Sequence, residues 1–366
     1  MNILVIGAAG MIGRKLVERL LRDGSLAGRN VARIVTADVM VPDFAHDTIA
    51  IDNRAVDFGN VSQVPTLIDT KPDVIFHLAA IVSGEAEEEF DKGYRINLDG
   101  TRALFESIRG VDDYCPRVVF ASSIAVFGAP FPDAITDDYH LTPLTSYGTQ
   151  KAISELLLTD FTRKGFLDGI GIRLPTIVVR PGKPNLAASG FFSNIIREPL
   201  SGKEAVLPVG RDVMHWAASP RAAVGFCIHA AQIDGATVGP HRNLTMPGVQ
   251  ITTGGQIDAL RRLAGDMTAD LIRDEPDDKI ISIVSNWPRR FDVSRAAALG
   301  FEAEADFDAI IRAHVEDELG GVWPEGAPLA TAEELERRAA SADYDAFDAI
   351  MARPTELPER EDDRLD

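Results

Sequence analysis

Tyr147 and Lys151 stand four residues apart in Ser146-Tyr147-Gly148-Thr149-Gln150-Lys151, 24 residues after Ser123. Residues i and i+4 of a helix share one face, so the phenol and the ammonium point into the same space. A free tyrosine titrates near 10, and a fixed positive charge beside it lowers that value by roughly two to three units. Tyr147 would then serve as a base near neutral pH, and the three residues together suit hydride chemistry at a hydroxyl-bearing carbon. Most Tyr-x-x-x-Lys pairs are a surface tyrosine and a solvated lysine. This one acquires meaning from the elements that must position it.

Short apolar runs alternate with helical patterns through the first half of the chain. Strands are expected at Ile3 to Ile6, Arg33 to Ala37, Val74 to Leu78, Val118 to Ser122 and Gly171 to Arg180. Helices are expected around Lys15 to Leu21, Ser62 to Asp69, Tyr94 to Arg109 and Tyr147 to Phe161. Strands and helices at this spacing predict an α/β protein with a doubly wound parallel sheet, a Rossmann fold, over residues 1–180. From Pro181 the pattern turns irregular. Residues 181–321 are expected to form a smaller α+β cap over the carboxyl edge of the sheet, where ligands of such folds bind, with some segments returning to the sheet. Its helices fall at Phe191 to Leu200, Pro220 to Ile233 and Thr252 to Gly265. Residues 322–366 carry 13 acidic and 5 basic side chains and read as a solvated or partly helical tail with no assigned function.

Composition narrows the partners. The 366 residues carry a net charge of −19, which repels phosphate backbones and anionic lipid surfaces, so neither nucleic acid nor a membrane is expected as a partner. Without a basic, apolar leader pattern at the start or a membrane-length apolar run, the expected location is the cytoplasm. Cys115 and Cys227 lie far apart with no metal-type spacing. They are read as buried small apolar residues, and no metal is expected.

A dinucleotide site is written in the first strand and turn. Gly7-Ala8-Ala9-Gly10-Met11-Ile12-Gly13 follows the strand directly and leads into a helix at Arg14. Glycines there permit a tight turn and close backbone approach to a pyrophosphate that faces the helix amino end. Asp38 closes the second strand, where its carboxylate can accept both adenosine ribose hydroxyls and would repel a 2′-phosphate. NAD is therefore favoured over NADP. Asp57-Phe58 is placed against the adenine. Leu78, Ala79 and Ala80 leave room for the nicotinamide-side ribose and phosphate. His77 is read as a packed strand residue, and Asn97 as a structural brace for the strand that carries the serines.

In this order and spacing, the glycine turn, Asp38, His77 to Ala80, Asn97, Phe120 to Gly128 and the Tyr147/Lys151 pair resemble an extended short-chain dehydrogenase/reductase of the NAD-dependent epimerase/dehydratase group, over roughly residues 1–320. The resemblance implies that Tyr147 is the acid/base, that Lys151 holds the nicotinamide ribose and lowers the tyrosine pKa, and that Ser123 hydrogen-bonds the reacting oxygen. Ser122 is assigned to substrate as well. Pro175 falls where the backbone of the group meets the nicotinamide carboxamide. Dehydratases of the group carry an acidic pair beside the serine or threonine, and Ile124-Ala125 stands here instead, so dehydration is disfavoured.

Two further runs, Arg180-Pro181-Gly182-Lys183-Pro184-Asn185 and His215-Trp216-Ala217-Ala218-Ser219-Pro220-Arg221, are similar to members of the group that oxidise the C2 hydroxyl of a four-carbon sugar acid, D-erythronate. On that expectation Arg180 or Arg221 pairs with the substrate carboxylate, and Ser83 bonds a substrate hydroxyl. A sugar or nucleotide-sugar epimerase and a non-catalytic NAD-sensing protein are the competing classes. The resemblance also implies a homodimer through the helices Tyr94 to Arg109 and Tyr147 to Phe161. Ile153, Leu156, Leu157 and Leu158 would suit that burial or packing on the sheet equally.

Overall fold

Seven parallel strands make the main sheet, with helices on both of its faces. In chain order they are β1 (Asn2–Ile6), β2 (Arg33–Asp38), β3 (Ala50–Ala55), β4 (Val74–His77), β5 (Arg117–Ser123) and β6 (Asp168–Leu174). The spatial order is 3-2-1-4-5-6, and Asn243–Thr245 adds a seventh strand beside β6. Ile6 pairs with Ala37 on one side and His77 on the other. The strand order reverses there, between β1 and β4, and opens the crevice in which doubly wound folds bind ligands. The computed structural model describes residues 1–182, 189–325 and 327–328.

Parallel strands covered on both faces read as unbroken apolar runs, and Ile3, Leu4, Val5 and Ile6 are all buried. On one face lies α1 (Met11–Asp23), which buries Gly13, Leu16, Val17 and Leu20 at helical spacing and ends on Gly24 at φ 62°. The opposite face is covered by α3 (Gly100–Arg109) and α4 (Ser146–Arg163), whose Leu104, Phe105, Ile108, Leu158 and Phe161 form one core with Ile75, Val118 and Phe120. Between β4 and α3 runs α2 (Ser83–Glu88).

Several expectations from sequence change here. The run Gly171 to Arg180 is not one strand: it breaks at Pro175, whose missing N–H ends the ladder. Thr176–Ile177 then enters a second sheet with Met214–Ala218 and Val249–Thr252. The strand Ala50–Ala55, with its polar Asp52, Asn53 and Arg54, carried no apolar run to reveal it. Ser62 to Asp69 contains only a short 3-10 turn, Val64–Ile68, opened by Pro65. Tyr94–Asp99 is a π-helical turn leading into α3.

Beyond residue 180, α5 (Gly190–Leu200), α6 (Pro220–Gln232) and α7 (Thr253–Ala264) appear near the expected positions. α6, however, packs on the sheet: its Ala223, Val224, Phe226, Cys227, Ala230 and Ala231 join the core of Leu16, Val17 and Leu20. Cys227 is buried, but Cys115 is exposed, contrary to the expectation for both. Of the four apolar residues on α4, Leu158 belongs to the sheet core, Leu157 packs against it, Ile153 is half-buried and Leu156 is 65% exposed. The expected tail lies outside the described residues from 329 onward.

Candidate active site

Gly7 adopts φ +88°, and a Cβ there would sit 2.6 Å from the Ala79 nitrogen, while one on Gly13 would overlap the Gly7 carbonyl. The turn therefore has no room for side chains, and β1, β4 and α1 converge on bare backbone. Gly10 opens α1 without a side-chain cap, so the amino end presents its own N–H groups and the positive end of the helix dipole. Asp38 Oδ2 accepts from Ala9 N at 3.0 Å and Oδ1 from Val39 N at 2.7 Å. Its carboxylate thus stands at the switch point beside the glycine turn. A cradle that any Cβ would fill, an uncapped helix start and a strand-end carboxylate together fit a dinucleotide.

The crevice continues into a cavity of about 760 Å³. Gly7, Gly10, Met11, Ile12, Gly13, Leu78 and Ala80 line its dinucleotide end. Ser122, Ser123, Tyr147, Lys151 and Pro175 line its middle, and Ser83 and Arg180 also reach it. Other expected residues do not line the cavity. Ala79 lies behind the glycine turn. Asp57 caps its own loop by accepting from Gly59 N at 2.9 Å, and the Phe58 ring is buried against His77 at 4.8 Å.

Three assignments need correction. Asn97 does not brace the serine strand: its side chain holds both backbone groups of Ile81, at 2.9 and 3.1 Å, and Gln150 at 2.7 Å. It ties the loop after β4 to α4. Ser122 donates to Glu155 Oε1 at 2.6 Å, so its one O–H proton is spent on a buried carboxylate and is not free to donate to substrate. Arg221 pairs with Asp317 at 2.6 Å and Glu316 at 2.8 Å on an exposed face, away from the cavity.

The Tyr147/Lys151 geometry follows from local sequence. Thr145 caps α4 by accepting from Gly148 N at 3.0 Å. A methyl group on Gly148 would overlap the Ala125 carbonyl, so only glycine lets the helix start close on the turn after β5. That turn is capped by Ser123, whose Oγ accepts from Ala125 N at 3.1 Å. Ser123 and Tyr147 are thereby brought face to face. One turn on, Lys151 is 2% exposed, donates to Ala121 O at 2.7 Å, and lies 5.7 Å from the Tyr147 ring centroid.

The expected depression of the tyrosine pKa is not what burial produces. Burial pushes the Tyr147 phenol up to about 12, and only its hydrogen bond with Ser123 works against this. Burial also pushes Lys151 down to about 7, with the Glu155 charge opposing. Both shifts have one cause: the enclosed wall disfavours whichever form is charged.

A stability prediction follows from Lys151. Its folded pKa lies below its unfolded value of about 10.5, so the unfolded chain binds the extra proton between roughly pH 7 and 10. The penalty for burying the charge is complete below pH 7 and fades as pH rises. Lys151→Met is expected to raise stability at pH 6 by on the order of a few kcal/mol, with the gain shrinking toward pH 10. Denaturant unfolding at both pH values checks this, and a gain that grows with pH would refute it.

Sequence reasoning gave no role to Glu155, although it stands four residues past Lys151 on the same face of α4. It forms a buried pair with Arg173 of β6, Nη2 to Oε2 at 2.8 Å. Asn194, Arg197 and Trp287 also line the cavity and were not anticipated, since no local pattern distinguishes them from ordinary cap residues.

Residues 3–231 match the NAD dependent epimerase/dehydratase family. A D-erythronate dehydrogenase from Cupriavidus necator is 46% identical over 323 residues, which span 87% of this chain and 98% of that protein. Another, from Haemophilus influenzae, is 37% identical over 87% of this chain and 100% of its own length. A solved structure described as the nucleoside-diphosphate-sugar epimerase from Agrobacterium tumefaciens is 61% identical, with a TM-score of 0.86 over 88% of this chain and 95% of that one.

Proposed function

The chain belongs to the NAD dependent epimerase/dehydratase family, and on that premise we propose that it oxidises the C2 hydroxyl of D-erythronate, a small sugar acid, to 2-dehydro-D-erythronate. It is an NAD-dependent dehydrogenase acting on a CH–OH group. The observation that carries the substrate class is the charge at the far end of the cavity. Arg197 is matched by Glu198 at 2.7 Å. Arg180 donates to Ser189 at 2.7 Å, and no carboxylate pairs with it among the described residues. One unmatched guanidinium suits a single substrate carboxylate, bidentate, better than the two charges of a diphosphate. Both D-erythronate dehydrogenases align with this chain over nearly their whole length, which supports the same substrate.

Bound NAD supplies the hydride acceptor. Gly7, Gly10, Met11, Ile12 and Gly13 would cradle its pyrophosphate, Asp38 the adenosine ribose, and Lys151 the second ribose, with Pro175 at the carboxamide. Val39, Met40 and Val41 follow Asp38 as exposed apolar residues, so the segment offers no cation to a 2′-phosphate. Arg180 holds the substrate carboxylate. Ser123 orients the C2 oxygen, and Tyr147 takes its proton. Arg221 and Ser122 drop out of this assignment. Ser83, lining the cavity at the start of α2, remains a partner for a substrate hydroxyl.

A second reading, a sugar or nucleotide-sugar epimerase, is favoured by the description of the Agrobacterium structure. It predicts no net NADH, because the hydride returns to the same molecule. NADH formation from C4 to C6 sugar acids is the expected result; no NADH from any of them, with nucleotide sugars epimerised as read by NMR, would sink the oxidation. No described helix is long and apolar enough to cross a membrane. A cytoplasmic address and a homodimer through α3 and α4, with exposed Leu156 at its seam, complete the proposal; light scattering tests the latter.

A further inference from the structure

His215 belongs to a run singled out in the sequence, yet the oxidation as assigned leaves it without work. It lies in the strand Met214–Ala218, lines the cavity and is 2% exposed. Its ring stacks on Phe192 of α5, with centroids 3.8 Å apart and planes at 21°. The Gln256 amide of α7 lies against Nε2. Nδ1 has no partner among the described residues, nor does Gln256 Oε1. Buried polar atoms are almost always paired, so an orphan on a residue that lines the cavity points to a ligand that completes it.

We propose that His215 is a specificity-determining residue that hydrogen-bonds a hydroxyl of the sugar acid beyond the reacting carbon, with Gln256 and Phe192 as positioning residues that aim its ring. This rests on the sugar-acid oxidation above. The ring is a neutral partner: burial pushes its pKa down to about 3. Gln256 can present its oxygen to Nε2–H, leaving Nδ1 an acceptor, or its amide nitrogen to a bare Nε2, leaving Nδ1–H a donor. A hydroxyl both donates and accepts, so it satisfies either tautomer. A carboxylate satisfies only one, and Arg180 already answers it. Stacking on Phe192 removes the freedom the ring would need to turn away.

The test compares D-erythronate with (R)-2-hydroxybutanoate, which keeps the chain length, the carboxylate and the C2 hydroxyl but lacks those at C3 and C4. Wild type is expected to prefer erythronate. His215→Leu should reduce that preference, as a ratio of kcat/KM, by about tenfold or more, the worth of one buried hydrogen bond. The change should lie in KM for erythronate and not in kcat. Gln256→Leu should move the ratio the same way by less, and decides the matter if His215→Leu does not fold. A ratio unchanged in the variants, or equal losses of kcat with both substrates, overturns this inference and leaves the oxidation standing. Absence of wild-type turnover of either acid removes both.

Discussion

Tyr147→Phe is expected to lower kcat for sugar-acid oxidation by about a thousandfold, within the range for loss of a positioned acid/base, while NAD still binds. The phenol sits beside Ser123 in the cavity lining, and the substitution removes one oxygen from a side chain whose ring remains packed. The glycine turn, Asp38 and Lys151 are untouched. Wild-type oxidation should also speed up with alkaline pH. The proton acceptor is the phenolate, the Tyr147 pKa is raised to about 12, and below that value the phenolate fraction grows tenfold per pH unit. The Phe variant should lose this rise. Stopped-flow NADH formation and NAD titration read the two halves, and turnover within tenfold of wild type would remove Tyr147 from the chemistry.

Glu155→Ala is expected to cost about 3 to 5 kcal/mol of folding stability, the range for breaking one side of a buried ion pair. Glu155 is fully buried, and its carboxylate accepts from Arg173 Nε at 3.0 Å, Arg173 Nη2 at 2.8 Å and Ser122 Oγ at 2.6 Å. Removing it leaves the guanidinium with the Asp137 carbonyl at 3.0 Å, the Asp137 carboxylate at 3.9 Å and the Phe127 ring at 4.9 Å. The pair also ties α4 to β6 behind Ser122, so the loss falls on the elements that set Ser123 against Tyr147. Glu155→Gln keeps an acceptor for Ser122 and should lose less. Urea unfolding of both variants measures the difference; a loss under about 1 kcal/mol for alanine would mean the pair is solvated in practice.

Much of the candidate site was legible because its information is local. The glycine turn is written in seven consecutive residues, and the phenol and ammonium share a face because they are four apart on one helix. The parallel sheet was legible in its buried strands, which are continuously apolar. It was illegible in Ala50–Ala55, where Asp52, Asn53 and Arg54 interrupt the run. The break at Pro175 sends the next two residues to another sheet, although Thr176 to Arg180 still looks like continuing strand.

The candidate chemistry is thus written in short stretches of chain: a glycine turn that excludes side chains, a carboxylate beside it, and a serine, a tyrosine and a lysine on two adjoining elements. The division of labour among residues with equal claims comes instead from long-range packing. Arg180 and Arg221 were interchangeable on paper, but folding brings Asp317, 96 residues away, to Arg221 and leaves Arg180 in the cavity. Ser122 and Ser123 are neighbours, yet Glu155 takes the first. His215, on a strand, gains its place from Phe192 and Gln256 on two helices. Helical spacing and turn geometry act within a few residues, whereas the pairing of a charge or the aim of a ring depends on which distant segments pack beside it.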